Sequence, residues 1–89
     1  MEVVIKKISD EELKKIGIDN WLPWSCEPST FDWEYNDKES CYFYKGKVKI
    51  HVDNKVYEIN AGDFVIFPKG LKCKWEVIEK VEKVYKFGD

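Results

Sequence analysis

Two periodicities divide the chain. Between Ser9 and Gly17 the apolar residues Leu13 and Ile16 stand three apart, the spacing of one helix face. Ser9-Asp10-Glu11-Glu12 reads as a capping box in which Ser9 caps the amide of Glu12, and Gly17 is a natural stop. These signals predict one short helix over 9–17. Its apolar stripe is so small that it is expected outside a larger body. After Trp21 the period becomes two. Ile18 to Trp24, with Pro23, reads as an edge strand, and Phe31, Trp33 and Tyr35 alternate with Asp32 and Glu34. Strands are expected at 40–44 and 47–52, separated by a turn at Gly46. Further strands are expected at 55–59, 64–67, 72–77 and 82–87. Asp53-Asn54, 60–63 and 68–70 carry the turn residues. Short strands punctuated at this rate predict an all-β sandwich or closed barrel, forming a single domain over 1–89.

Composition narrows the function classes. The four tryptophans, five tyrosines and five phenylalanines can build a core in a small domain without disulfides. Net charge is −2 and every basic residue is lysine. That excludes both the basic field and the guanidinium fork typical of nucleic-acid recognition, so no nucleic-acid partner is expected. No apolar run has signal-peptide or membrane-spanning length. The expected location is the cytoplasm, with no membrane partner. Cys26, Cys41 and Cys73 are odd in number and lack CxxC spacing, so neither a disulfide framework nor a zinc ribbon is indicated. His51 shares a polar strand face with Lys47 and Lys49 and reads as a surface residue, and the C-terminal lysines read as solvated charge.

Two partial motifs carry the chemistry. Glu39 is followed seven residues later by Gly46, and Gly62 leads into Pro68-Lys69-Gly70. This arrangement resembles the cupin superfamily. Its first motif is a pair of histidines, a glutamate and a glycine, and its second a glycine, a proline, a glycine and a histidine. The resemblance spans Phe31 to Trp75 and implies a double-stranded β-helix, or jelly-roll barrel. Phe31-Asp32-Trp33 and Pro68 to Trp75 are similar to the small single-domain cupins of the Cupin 3, or ureidoglycine aminohydrolase-like, family. The enzyme that names that family uses manganese to release ammonia. Here Trp33 and Tyr35 fill the first-motif histidine positions and Cys73 fills the last. Of the implied metal ligands only Glu39 remains, with Cys73 as a conceivable thiolate substitute. No cofactor is expected with assurance, and a divalent metal held by Glu39 and Cys73 alone would be weak. The resemblance also implies a homodimer.

Strand alternation places Phe31, Trp33, Tyr35, Glu39, Cys41, Phe43, Cys73, Trp75 and Val77 toward the lumen. The expected ligand pocket is therefore Trp33, Tyr35, Glu39, Cys41, Cys73 and Trp75. An inward glutamate is costly unless partnered. Tyr35 could bond it; otherwise Glu39 is a candidate general acid or base with a raised pKa. The primary expectation is a small-molecule-binding cupin with an aromatic-lined lumen. The alternatives are an enzyme acting on a small amine or ureido compound through Glu39, and a filled barrel that serves protein–protein interaction.

Overall fold

The computed structural model describes residues 1–88; Asp89, the last residue of the expected domain, lies outside the described residues. Strands β1 (Val4–Lys7), β2 (Leu22–Cys26), β3 (Ser29–Glu34), β4 (Glu39–Val52), β5 (Lys55–Asn60), β6 (Asp63–Phe67) and β7 (Lys72–Phe87) are all antiparallel. Helix α1 (Asp10–Lys15) and a 3-10 turn at Ile18–Asn20 lie between β1 and β2. The all-β cupin barrel with one short helix is thus the observed fold.

Two long strands organise it. β4 and β7 pair along nearly their whole length, and each also pairs with two further strands. The first half of β7 pairs with β3 and its second half with β2. The first half of β4 pairs with β6 and its second half with β5. Register shifts between Phe43 and Val48 bend the pair, since an extra residue in one strand kinks and twists a ladder. Trp75 of one half then meets Phe43 and Phe67 of the other, with ring centroids 6.3 and 5.8 Å apart.

This bend corrects two expectations. Gly46 is not in a hairpin turn, and 72–77 and 82–87 are not separate strands: both stretches run on as single strands. Gly46 is needed where β4 bends against β7. Its φ is +102°, and a Cβ there would collide with the Lys80 carbonyl and come within 2.7 Å of the Val81 Cα. The alternation had no way to separate a bulge from a turn. Residues 18–20 likewise form a turn rather than the start of β2, which begins at Leu22.

Other local signals behave as their chemistry requires. Ser9 accepts from the Glu12 amide at 3.2 Å, and Gly17 takes a left-handed φ of 72°. Asp53-Asn54 closes a two-residue hairpin with Val52 opposite Lys55. Asp63 caps its turn by accepting from the Asn60 amide at 2.7 Å. No helix among the described residues is long and apolar enough to cross a membrane.

Candidate functional site

Three backbone links place the site residues at one end of the barrel. Tyr35, just past β3, donates its amide to the Leu71 carbonyl at 2.9 Å and accepts from the Gly70 amide at 2.7 Å. The 68–71 turn therefore anchors the ring. Glu39 opens β4 directly opposite Phe67 and Phe87. Lys83 lies on β7 between Trp24 of β2 and Phe43 of β4.

Glu39 and Lys83 form the centre of the site. Each is about 5% exposed, and Lys83 Nζ donates to Glu39 Oε1 at 3.2 Å. Such a charge among apolar groups is stable only when paired and hydrogen-bonded. The ammonium has further stabilisation from ring faces: its nitrogen stands 4.8 Å from the Trp75 centroid and 5.0 Å from that of Trp24. Phe43, Tyr85 and Phe67 follow at 5.7, 5.8 and 6.0 Å. A desolvated cation over an aromatic face gains about 0.5–2 kcal/mol, so the rings supplement Glu39 without replacing it.

A cavity of about 220 Å³ lies against this pair. Its lining is aromatic, with Phe31, Trp33 and Tyr35 from β3 and the residue just past it, Trp24 from β2 and Trp75, Tyr85 and Phe87 from β7, and Glu39 and Lys83 complete it. The rings brace one another. Tyr35 stacks on Phe67 at 4.7 Å and Phe31 on Trp75 at 5.9 Å, while Trp24 meets Trp75 edge-on at 5.6 Å. The Tyr35 hydroxyl accepts from the Trp75 indole N–H at 3.2 Å. Burial, and next the Glu39 charge, hold the Tyr35 phenol far above its ordinary range, so it stays protonated.

The predicted pocket residues therefore separate. Tyr35, Glu39 and Trp75 line the cavity; Trp33 lines it too, but is 49% exposed and sits at the rim. Cys41 is fully buried behind the wall, where its thiol donates to the Val65 carbonyl at 3.6 Å. Its small side chain is spent on packing, and burial pushes its pKa up to about 12. Cys73 is buried against a neighbouring shallow depression formed with Asp32, Trp33, Glu34 and Lys72. Burial first, then Asp32 and Glu39, push its pKa up to about 11. Neither cysteine reaches the cavity. The partner of Glu39 is Lys83 and not Tyr35.

These groups do not fit the metal centre that the superfamily resemblance implies. No group of three or more His, Cys, Asp or Glu placed to hold a metal ion occurs among the described residues. A metal takes thiolate, not thiol, and Cys73 and Tyr35 are both held protonated at neutral pH. The charge on Glu39 already faces an ammonium tethered to the chain.

Lys83, Trp24, Tyr85 and Phe87 were not identifiable as site residues from the motifs. A signal for three of them exists all the same. Cys73, Trp75, Val77, Val81, Lys83, Tyr85 and Phe87 share one parity along the unbroken β7 strand, so a single 16-residue strand turns Lys83 inward with its aromatic neighbours.

Comparison with known proteins agrees with this architecture. The EutQ-like cupin domain family (Cupin_3) matches residues 13–85. The crystal structure of a DUF861-family protein from Thermotoga maritima superposes with a TM-score of 0.95 at 44% identity, over 98% of this chain and 100% of that one. The Clostridium difficile EutQ structure superposes with a TM-score of 0.68 at 24% identity, over 96% of this chain and 66% of that chain. A Clostridioides difficile protein named acetate kinase EutQ is 30% identical over 57 residues, which is 64% of this chain and 36% of that relative. The chain thus spans about a third of the length of that curated relative. With the two motif glycine turns, the bent β4–β7 pair and the family match in agreement, the chain belongs to the EutQ-like cupin domain family.

Proposed function

We propose that this cupin binds a small molecule with a flat apolar body, held between the aromatic walls with one polar edge against Glu39 and Lys83. The single observation behind this reading is the 220 Å³ cavity with a buried ion pair exposed to it. Pockets of mostly apolar lining with a few convergent polar groups are the usual form of small-molecule sites. An apolar cavity of ~150 Å³ is enough for benzene, so this one admits a substituted ring.

Phosphoryl transfer, the activity in the name of the Clostridioides difficile relative, sits poorly with these residues. Phosphate oxygens need several converging positive groups. The cavity offers one ammonium, already bonded to Glu39, and the chain has no arginine. A second reading, proton transfer by Glu39 on the bound molecule, rests on the carboxylate oxygen that Lys83 leaves unbonded. Turnover that vanishes in Glu39→Gln while binding persists is its required outcome. The free thiols Cys26, Cys41 and Cys73 suit a reducing compartment, in keeping with a cytoplasmic location.

Intrinsic fluorescence tests the binding reading directly, because Trp24, Trp33 and Trp75 line the cavity. Titration with a panel of single-ring compounds should give saturable quenching for some of them. Absence of any saturable response up to millimolar concentration, with a crystal structure showing the cavity closed, would sink the proposal.

A further inference from the structure

The Glu39–Lys83 pair leaves hydrogen-bonding capacity unused on both partners. An ammonium carries three N–H donors, and a carboxylate accepts at both oxygens. One N–H is committed to Glu39 Oε1, and the other contacts of the ammonium are ring faces. No side-chain polar atom that is fully buried among the described residues lacks a partner. Glu39 Oε2 takes no bond from Lys83, and Glu39 is one of the residues that line the cavity. The cavity therefore presents a strong donor beside a strong acceptor, and these are the two charged groups among its lining residues.

Their charges cancel, and that determines what fits. A cationic ligand would lose water among the rings and meet Lys83; an anionic one would meet Glu39. Either would leave an excess buried charge, which is costly. A neutral ligand avoids this cost. To use both groups it must offer an N–H or O–H to Glu39 next to an acceptor for Lys83. The aromatic lining favours a flat body that can stack on it.

We infer, building on the small-molecule reading above, that the cavity selects uncharged planar heterocycles that carry a hydrogen-bond donor beside an acceptor. The donor bonds Glu39 and the acceptor bonds Lys83. Such a ligand is of one-ring or slim two-ring size, since the volume exceeds that needed for benzene by less than a factor of two.

Matched probes test the inference on the wild-type protein by calorimetry and ligand-observed NMR. The set is 2-pyridone, N-methyl-2-pyridone, toluene, benzoate and benzylammonium. The expected ranking places 2-pyridone about tenfold or more ahead of its N-methyl analogue, because methylation leaves the Glu39 oxygen unmatched. Both charged rings bind weakest. The 2-pyridone preference should disappear in the charge-free variant Glu39→Gln/Lys83→Met. Toluene binding as tightly as 2-pyridone would overturn the edge readout and leave the small-molecule reading standing. Benzoate or benzylammonium binding tightest would overturn the requirement for a neutral ligand. Failure of all five to bind overturns this inference along with the reading beneath it. The wild-type ranking decides between these outcomes even if the double variant does not fold.

Discussion

The two ends of this barrel solve the same packing problem in opposite ways. Around the β4 bend the interior is aliphatic: Val48 lies opposite both Ile59 and Val77, and all three are buried. Branched side chains interdigitate to crystal-like density, and none of these residues lines the cavity. At the other end the interior is aromatic, with an ammonium among the rings. Flat rings that stack and meet edge-on keep their centroids about 5–7 Å apart, and together they leave a cavity of about 220 Å³. The bend is thus held by aliphatic packing, and the cavity end by stacked rings around a buried ion pair. The charged pair sits buried at the aromatic end, against the cavity.

Truncating each end measures this division. Glu39→Ala is expected to have the largest effect, about 3–5 kcal/mol in denaturant unfolding, because it strands the Lys83 ammonium with no counter-charge. A cost below about 1 kcal/mol would mean that water reaches the pair and that the cavity end is not dry. Ile59→Ala should come next within its range of about 2–5 kcal/mol, since Ile59 is fully buried at the bend. If it costs less than about 1 kcal/mol, the aliphatic end is loosely filled and the contrast fails.

Replacing both charges together asks a different question. Glu39→Gln/Lys83→Met keeps approximate volume and removes the buried ionic charges. Such replacements are neutral or stabilising by about 1–4 kcal/mol, so the double variant should be at least as stable as the parent. Both outcomes together, a large loss in the single variant and none in the double, would identify the pair as retained for what it offers a ligand. A double variant that unfolds as readily as Glu39→Ala breaks that argument.

How much of this was legible in the sequence follows from what alternation can encode. Gly62, Pro68 and Gly70 mark real turns, and the inward parity of Tyr35, Glu39, Cys41, Cys73 and Trp75 is visible in the period-two pattern. Parity says which face a side chain occupies but not its depth. Cys41 and Cys73 share the face of Glu39 and Trp75, yet Cys41 is taken up in packing against Val65 and Cys73 faces a neighbouring depression, so neither lines the cavity. Lys83 was lost for another reason. Reading a break between 77 and 82 interrupted the phase that turns Lys83 inward, and its charge then suggested solvent. An inward glutamate without histidine neighbours is itself a signal that a buried cation must lie elsewhere in the chain.

Alkaline pH probes the wall behind the cavity. The Cys41 thiol is buried and its folded pKa, about 12, exceeds its ordinary value of 9.0. Below pH 9 both states hold the proton and stability is unaffected. Above it the unfolded chain ionises first, so stability falls as pH rises toward 12. At pH 10 this amounts to about 1 kcal/mol. Denaturation midpoints of wild type and Cys41→Ala, compared at pH 8 and pH 10, should converge by that amount. Parallel midpoints would show that water already reaches the thiol.

The rim contributes only a small stability effect, and there it is most informative. Trp33 is half exposed and packs edge-on against Tyr35 with centroids 6.4 Å apart. Trp33→Ala therefore removes one aromatic contact and some partly hydrated surface, a loss of about 0.5–1.5 kcal/mol. Binding should respond differently, since the ring supplies part of the cavity wall. A ligand that stacks on it loses roughly tenfold or more in affinity if about 1.5 kcal/mol of contact is removed. Small loss of stability with large loss of ring binding would place Trp33 in recognition. If instead stability falls by more than about 3 kcal/mol, the aromatic end is a core in its own right, and the two ends of the barrel are more alike than their side chains suggest.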